Sequence, residues 1–210
     1  MQIVVGHTWD GVAVDERVTL ELAVVDDGLK VAIEAPFHGD PPPPGPPGET
    51  HGLWNFEVVE LFVFGAEGRY LELELGPHGH WLALELHGVR QVVRQLPGLV
   101  VSCEVIGGRW RGAATVPLAW LPPGAARWNA HAIHGVGEGR RYLSAIAAGG
   151  ARPDFHRPEV TGELAAELVA ELCGAHEGQG LDWGLQQLRA VGSLLEAGGC
   201  RPPVADQVGP

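Results

Sequence analysis

The sequence predicts a mainly β protein, an antiparallel β-sandwich of the jelly-roll type with about ten strands and a short helical C-terminal tail. Many short segments alternate apolar and polar residues, which is typical of strands with one buried face. Turn residues separate these segments at the short intervals expected of sandwiches and barrels. The composition agrees, because 31 glycines and 17 prolines in 210 residues favour many turns and few long helices.

The clearest strands form a three-stranded meander between Glu57 and His87. In its second and third strands, leucines alternate with polar or small residues. These leucines are Leu71, Leu73 and Leu75, then Leu82, Leu84 and Leu86. Pro77 and Gly79 between the two runs indicate a tight turn. The segment is therefore predicted to be an antiparallel meander with one apolar face.

The register of the hairpin follows from a loop formed by Pro77 to His80. That loop pairs Leu75 with Leu82 and Glu72 with Glu85. A slip of one residue would place leucines opposite carboxylates, so the stated register is favoured. Two facing carboxylates need a cation between them. The candidates are an arginine, namely Arg90, Arg94 or Arg111, or a polar or cationic ligand.

Glu60 is the unusual residue of the first strand, because it shares a face with Val58, Phe62 and Phe64. A carboxylate on an apolar face is costly to desolvate unless it is paired or hydrogen-bonded. Glu60 is therefore expected to form a buried salt bridge, to cap backbone amides, or to contact a ligand at the rim of the sheet. Glu57 opens the same strand and is expected to point to solvent.

The other predicted strands lie on either side of this meander. They are Gln2 to Val5, Val18 to Val24, Leu29 to Ala35, Val89 to Leu96, Leu99 to Ile106, Trp110 to Val116, Arg127 to His134 and Arg140 to Ala147. Asp26, Asp27 and Gly28 predict a hairpin turn between the second and third of these. Pro117 to Gly124 is predicted to form one helical turn and a connector.

Two segments are not predicted to be strands. Pro36 to Gly52 contains seven prolines and four glycines, which predicts an extended lid or rim loop; a proline-recognition ligand is the alternative. After Pro158 a helix is predicted over Glu163 to Leu172, with Thr161 as N-cap and Gly174 as stop. A second helix fits Trp183 to Ala197. The predicted division is a sandwich over 1–158, a helical extension over 159–199 and a disordered tail over 200–210.

Charge and cysteine content exclude several classes of function. A net charge of −12 argues against nucleic acid and anionic membranes as partners. No apolar run is long enough for a transmembrane helix, and the N-terminus does not look like a secretory signal. Three widely spaced cysteines form neither a disulfide framework nor a zinc signature. These features lead us to expect a cytoplasmic protein.

Six short motifs occur in a fixed order between Ile3 and His156. They are HTWDG, APF followed by DPP, LW-x-x-EVVE, YLELELGPHG, AIHG and PDFH. Together they resemble an uncharacterised UPF family whose best-known vertebrate member is named only as an open reading frame on chromosome 4. That family is in turn distantly similar to type 9 carbohydrate-binding modules and DOMON-like domains.

The resemblance implies a β-sandwich in which aromatic side chains stack on a saccharide and polar groups bind its hydroxyls. Some DOMON relatives hold haem through methionine and histidine, but Met1 is the only methionine here, so no haem is expected. The site residues implied by the family-like motifs are Trp9, Asp10, Trp54, Glu57, Glu60, His78, His134, Asp154 and His156. Each of three residues has a structural alternative. These are core or rim packing for Trp54, a turn position for His78, and a structural, hydrogen-bonded histidine for His134.

No catalytic residue, metal or cofactor is assigned from the sequence. No histidine pair has zincin spacing, and no nucleophile elbow or phosphate loop is present. Convergence of His78, His134, Asp154 and His156 on a metal stays open. The expected function is non-catalytic binding of a saccharide or another small polar ligand. One alternative is a small hydrolase or isomerase that uses Glu60 with His78 or His134, with or without a metal. The other is a protein-interaction domain that uses the proline-rich loop and the helical tail.

Overall fold

The structure, a computed structural model, describes residues 1–26 and 28–178. It contains twelve strands and one α-helix. The strands are β1 (Gln2–Thr8), β2 (Ala13–Val25), β3 (Gly28–Pro36), β4 (Val58–Phe64), β5 (Arg69–Leu75), β6 (Trp81–His87), β7 (Val92–Gln95), β8 (Val101–Ile106), β9 (Arg109–Pro117), β10 (Arg127–His134), β11 (Arg141–Ser144) and β12 (Gly162–Glu163). The helix α1 is Ala166–Gly178. The mainly β prediction is confirmed.

The strands form one antiparallel sheet that curls on itself. Eleven of them follow the order β7-β6-β5-β4-β10-β11-β1-β2-β3-β9-β8, and the short β12 pairs with β10. We call β7 to β11 in this order the first half of the sheet, and β1 to β8 the second half. Apolar side chains from both halves, such as Leu61 and Leu73 from the first and Leu20 and Val31 from the second, belong to one core. The sandwich thus arises from a single folded sheet.

The central strands of the first half, β4, β5, β6 and β10, are largely buried on both faces. Its inner face contributes Val59, Leu61 and Val63 to the main core. Its outer face carries a second apolar cluster that includes Val58, Phe62, Phe64, Tyr70, Leu82, Leu84, Leu86 and Ile133. Phe155, from the segment after β11, packs against this cluster. Burial on both faces explains the nearly continuous apolar run in β4, which one-sided strands do not show.

The predicted register of the β5–β6 hairpin is wrong by one residue. The structure pairs Glu72 with Leu84, and Leu71 with Glu85. The loop is closed by a hydrogen bond from Gly76 N to His80 O of 2.9 Å. The prediction assumed one polar face, but both faces are buried here, so alternation alone does not select the register.

The cation expected near Glu85 is present, although Glu72 does not share it. Arg94 Nε lies 2.6 Å from a Glu85 carboxylate oxygen. Arg69 approaches the other oxygen to 3.7 Å. Glu72 projects from the other face of β5 and belongs to a different cluster, described below.

The expectation that Glu57 points to solvent is also wrong. Glu57 is only 4% exposed. Its carboxylate accepts hydrogen bonds from the backbone N–H groups of His38 at 3.0 Å and Asp40 at 3.3 Å. Glu57 therefore anchors the first residues of the proline-rich loop. Further along, Trp81 N donates to Gly48 O at 3.0 Å, so the loop is also tied to β6.

The helix after Pro158 begins later and ends later than predicted. Gly162 pairs with Trp128 as part of β12, and the Trp128 indole N–H donates to Glu163 O at 2.9 Å. These sheet contacts keep the chain extended until α1 begins at Ala166, and Gly174 lies inside the helix. The predicted second helix and disordered tail lie outside the described residues, and the division at residue 158 stays a prediction. No described helix is long and apolar enough to cross a membrane.

Candidate functional site

A cavity of about 450 Å³ opens on the outer face of the first half of the sheet. We call it the outer cavity. Its floor includes the apolar side chains of Leu84, Leu86 and Ile133, and its aromatic lining is Trp54, Tyr142 and Phe155. The ionisable groups that line it are Glu60, Glu72, Arg90, Arg140, Asp154 and His156. Apolar and charged groups on one concave surface are typical of a site for a small polar ligand.

The fold brings these groups together from distant parts of the sequence. Glu60 and Glu72 are on neighbouring strands, β4 and β5, and point to the same face as Phe62. Asp154 and His156 come from the segment after β11, which covers the far side of the cavity. Arg90 Nη2 donates to Asp154 Oδ1 at 2.7 Å and thereby closes the wall between β6 and this segment.

Tyr70 supports one wall of the outer cavity through hydrogen bonds to two of its residues, Arg90 and His156. Its hydroxyl oxygen accepts the Arg90 backbone N–H at 3.0 Å and lies 2.8 Å from His156 Nδ1. Burial, as the largest cause, raises the pKa of Tyr70 to about 12, so the phenol stays protonated. The hydroxyl proton is then free to be donated to His156 Nδ1.

That hydrogen bond determines the tautomer of His156. Burial, followed by the charge of Arg90, lowers the pKa of His156 to about 4, so the ring is neutral at neutral pH. If Nδ1 accepts from Tyr70, the ring proton must be on Nε2. Nε2 lies 4.0 Å from Glu72 Oε2, which is too far for a direct hydrogen bond. A donor and an acceptor therefore face each other across a gap.

Three carboxylates are packed together behind this gap. Glu60, Glu72 and Glu74 are 2%, 4% and 0% exposed, respectively. One oxygen of each lies within 4.8 Å of an oxygen of the other two. By distance and angle, no hydrogen bond from another described residue reaches Glu72 Oε2 or either oxygen of Glu74. The carboxyl groups of Glu72 and Glu74 are nevertheless close enough to share a proton, and the Trp54 backbone approaches Glu74. We call this group the carboxylate cluster.

Burial is the main cause that raises the pKa of each of these acids. The pKa of Glu72 rises to about 7. The pKa of Glu60 is raised well above its usual range by burial and then by Glu72, and Arg140 partly opposes this shift. The pKa of Glu74 is likewise raised by burial and by its two neighbours. The carboxylate cluster therefore retains protons at neutral pH, and each protonated member is a hydrogen-bond donor.

The role of Glu60 differs from the first two expectations. No cation lies within 4.0 Å of it among the residues that the structure describes, and it caps no backbone amide there. It lines the outer cavity instead, and its contact with a ligand stays a prediction.

Arg140 fixes the Trp54 side of the outer cavity. Its guanidinium donates to Asn55 O at 3.0 Å and Gly135 O at 3.2 Å, and it also donates to Trp54 O. The same guanidinium lies 5.7 Å from the centre of the Tyr142 ring, within the range of a cation–π contact. Trp54 is 37% exposed, so one part of its indole is available to a ligand.

His131 supports the segment that covers the cavity. Its ring stacks on Phe155 with centroids 3.8 Å apart and planes 8° apart. Nδ1 lies 2.9 Å from Ser144 Oγ, whereas Nε2 has no partner in the described chain. Burial, as the main cause, lowers the pKa of His131 to about 3, so the ring packs as a neutral group.

The structure separates the nine predicted site residues into groups. Trp54, Glu60, Asp154 and His156 line the outer cavity. Glu57 is buried beneath the proline-rich loop, and His78 Nε2 contacts Asp40 O at 3.4 Å in the same region. Trp9 and Asp10 lie in the turn after β1, where Asp10 accepts from Thr8.

His134 is in a different place from the other histidines of the predicted set. It is next to Glu16, on the face of β10 opposite to Ile133. His78, His134, Asp154 and His156 therefore do not form a metal-binding group among residues 1–26 and 28–178.

Sequence reasoning missed several residues that line or support the cavity. They are Tyr70, Glu72, Glu74, Arg90, Arg140 and Tyr142. One sequence pattern could have indicated the two glutamates: Glu72 and Glu74 alternate with leucines in β5, just as Glu60 interrupts an apolar face in β4. Arg140 and Tyr142 come from a distant strand, and no local pattern connects them to Trp54.

Comparison with known proteins identifies the family. No family model matches the sequence. A zebrafish (Danio rerio) protein named UPF0462 protein C4orf33 homolog is 40% identical over 179 residues, which are 80% of this chain and 91% of the relative. This chain belongs to the UPF0462 family. The human UPF0462 protein C4orf33 is 39% identical over 168 residues, covering 74% of this chain and 83% of the relative. The resemblance inferred from the six motifs is thus confirmed.

Comparison with solved structures shows that this UPF0462 protein shares its fold with a proposed carbohydrate-binding protein. A proposed carbohydrate-binding protein from Bacteroides uniformis matches with a TM-score of 0.61 at 15% identity, covering 78% of this chain and 85% of the other. This match shows the fold. A family 9 carbohydrate-binding module from Caldicellulosiruptor kristjanssonii, in complex with cellotriose, gives a TM-score of 0.44 at 11% identity over 70% and 72% of the two chains. That score is too low to support an argument.

Proposed function

We propose that this UPF0462 protein binds a saccharide in the outer cavity without catalysing a reaction. The observation that carries the proposal is the gap between His156 Nε2 and Glu72 Oε2, which are 4.0 Å apart. A hydroxyl oxygen that lies beside this pair, about 2.8 Å from each atom, accepts the imidazole N–H and donates to the carboxylate. A sugar hydroxyl performs both functions with one atom.

The buried state of Glu72 makes this contact important. Glu72 Oε2 is inaccessible to solvent and has no hydrogen-bond partner in the described chain. A buried polar atom without a partner costs roughly 1–3 kcal/mol. A small shift of the His156 ring admits a ligand hydroxyl to this atom. The hydroxyl then recovers part of this cost, so the site favours polyhydroxylated molecules over apolar ones of similar size.

The aromatic lining accounts for the other chemical property of a sugar. A pyranose ring has an apolar face of C–H groups that packs on aromatic rings. Trp54 and Tyr142 are held on the same side of the cavity by Arg140. Its backbone hydrogen bonds restrict the segment before a ligand arrives, so less entropy is lost on binding. The fold shared with a proposed carbohydrate-binding protein supports the same interpretation.

The test is calorimetric titration with neutral, acidic and amino sugars and their oligomers. We expect at least one class to bind. Glu72→Gln should weaken binding by about tenfold or more, because it alters a hydrogen bond to a charged or proton-sharing group. Trp54→Ala should weaken it through lost stacking. Glu21→Gln is the matched control, since Glu21 does not line the cavity, and this variant should bind as the wild type does.

Two results would contradict the proposal. One is the absence of heat with every sugar from protein whose circular dichroism shows an intact fold. The other is sugar binding that Glu72→Gln and Trp54→Ala leave unchanged, which would place the ligand elsewhere. Release of a smaller sugar during incubation, seen by chromatography, would instead support the carboxylate-dependent hydrolase.

A further inference from the structure

A second group of polar side chains lies outside the outer cavity. It consists of Glu16, His38 and His134, and one nitrogen or oxygen atom of each lies within 4.8 Å of those of the other two. His134 Nε2 is 3.2 Å from Glu16 Oε1, and His38 Nε2 is 3.8 Å from Glu16 Oε2. The two imidazole rings stack, with centroids 3.5 Å apart and planes 3° apart.

The fold places this group where the two halves of the sheet meet at the edge of the main core. Glu16 is on β2, in the row of side chains that continues inward as Val18 and Leu20. His134 ends β10 of the first half, in the inward row with Ala132. His38 follows β3 directly. The group is thus assembled from both halves and from the loop that crosses between them.

Two carboxylates, one buried and one partly exposed, hold the two histidine segments in place. Glu57 accepts the backbone N–H of His38, and Asp40 accepts the backbone N–H of Gly135, the residue after His134. Gly135 has φ of +81°, and a Cβ there would come within 2.4 Å of Gly139 O. Only glycine fits this turn, so the direction of the chain leaving His134 is defined.

We propose that Glu16, His38 and His134 bind a zinc ion or a similar late first-row divalent metal. Two imidazole nitrogens and one carboxylate oxygen are a common three-residue ligand set for zinc, and the fourth position is then open to water or another ligand. Ligands about 2.0–2.1 Å from zinc at the corners of a tetrahedron are about 3.3 Å from each other. The separation of 3.2 Å between His134 Nε2 and Glu16 Oε1 matches that spacing.

Two adjustments accompany binding. The stacked rings must separate and tilt relative to each other, because the lone pair of each imidazole nitrogen lies in its own ring plane and two parallel planes do not meet at one ion. His38 is on the exposed side of the group and is able to rotate. Arg141 Nε, which lies 3.8 Å from Glu16 Oε1, must also release the carboxylate. Its side chain is 48% exposed, so water can take over its hydrogen bonds.

The ligand types distinguish this group from the carboxylate cluster. Imidazole nitrogen selects zinc and its neighbours, whereas calcium and magnesium prefer oxygen ligands. Glu60, Glu72 and Glu74 offer only oxygens, and their raised pKa values keep protons on them. The zinc proposal does not depend on whether the outer cavity binds a sugar.

The experiment is titration of chelator-treated full-length protein with Zn²⁺, by calorimetry and native mass spectrometry. We expect one equivalent to bind. His38→Ala should weaken the affinity for Zn²⁺ at least tenfold, and Glu16→Gln should weaken it as well. His87→Ala removes an exposed histidine at the end of β6 and should not alter binding. Co²⁺ should show the visible absorption of a four-coordinate ion in the wild type, and this absorption should be lost in His38→Ala.

Three outcomes would overturn the inference. The wild type could take up no zinc. Its affinity could be equal to that of His38→Ala, which would mean adventitious binding to surface histidines. Alternatively, Glu72→Gln could abolish binding while His38→Ala retains it, which would place the cation in the carboxylate cluster. His38→Ala changes a solvent-facing side chain, so we expect it to fold, and circular dichroism checks this for each variant.

Discussion

In the central strands of the first half of the sheet, β4, β5, β6 and β10, both faces are largely buried, but they differ in chemistry. The inner face presents apolar side chains, among them Leu61 and Leu73, to the main core. The outer face combines large apolar side chains with Glu60, Glu72, Glu74 and His131, all 4% exposed or less. Several of their polar atoms have no partner in the described chain. The apolar inner face therefore stabilises the folded protein, whereas the unpartnered polar atoms of the outer face lower its stability.

Such a difference is informative because unpartnered buried polar groups are costly. A face needed only for packing would be stabler with apolar residues at these positions. Glu60 and Glu72 of the carboxylate cluster line the outer cavity, where a ligand can supply a partner to Glu72. The comparison thus separates residues that hold the fold together from residues that are kept for binding.

The largest effect is expected on the inner face. Leu73→Ala removes a fully buried side chain from the main core. The free energy of unfolding should fall by roughly 2–5 kcal/mol, through lost burial and the cavity left behind. Urea denaturation followed by circular dichroism measures this change. A loss below about 1 kcal/mol would show that the inner face is not the stabilising one.

The next effect concerns the outer face and depends on pH. The pKa of Glu72 is about 7 in the folded protein against a usual 4.5. The folded state therefore binds more protons than the unfolded state between these values, and the wild type loses stability as pH rises through this window. Glu72→Gln does not titrate. Its stability relative to the wild type should increase from pH 4.5 to 7, by at most about 3 kcal/mol at ~1.4 kcal/mol per pKa unit.

Unfolding by urea at several pH values tests this prediction. Glu21→Gln, an exposed substitution on β2, is the control and should follow the wild type at every pH. If the difference between Glu72→Gln and wild type were the same at pH 4.5 and 7, Glu72 would not be a proton-retaining acid, and the contrast between the faces would be reduced.

A smaller effect is expected from Tyr70→Phe. This change keeps the ring in the outer apolar cluster but removes the hydroxyl that bridges Arg90 N and His156 Nδ1. Stability should fall by about 1–2 kcal/mol. Sugar affinity should fall as well, because His156 is no longer held in the tautomer with its proton on Nε2. A nitrogen-15 NMR spectrum reports that tautomer directly, and an unchanged spectrum would argue against the bridge.

The smallest effect is expected at the exposed edge of the same half. Arg94→Ala removes an ion pair with Glu85 in which the arginine side chain is 59% exposed. Exposed pairs contribute roughly 0–1 kcal/mol. The midpoint of urea denaturation should therefore move little. A loss similar to that of Leu73→Ala would show that charge at the edge, and not the inner face, stabilises this half of the sheet.

Much of the fold was predictable from local patterns. Alternation in β2, β3 and β5 and the turns between strands identify antiparallel elements, since side-chain direction in a strand has a period of two. The register of the β5–β6 hairpin was not predictable in this way, because Glu72 and Glu74 point to a face that is also buried. The expected cytoplasmic location and the roles of Trp9, Asp10 and His78 stay predictions.

About half of the candidate site was within reach of the sequence. Trp54, Glu60, Asp154 and His156 are in recognisable motifs, and they line the outer cavity. Arg90, Arg140 and Tyr142 join them only through strand pairing and loop packing, with Arg140 bonded to Trp54 O across 86 positions of the chain. Long-range contacts of this kind leave no local periodicity.

The sequence alone determined the β class, the positions of most strands, the acidic character and the family, because each follows from local composition, alternation or ordered motifs. The tertiary structure decided which face of each strand is buried and which distant side chains meet. Folding of one sheet onto itself put Glu16 beside two histidines and Glu72 opposite His156. Burial in those places changes the pKa and the hydrogen-bonding needs of a side chain, and only the assembled structure defines burial.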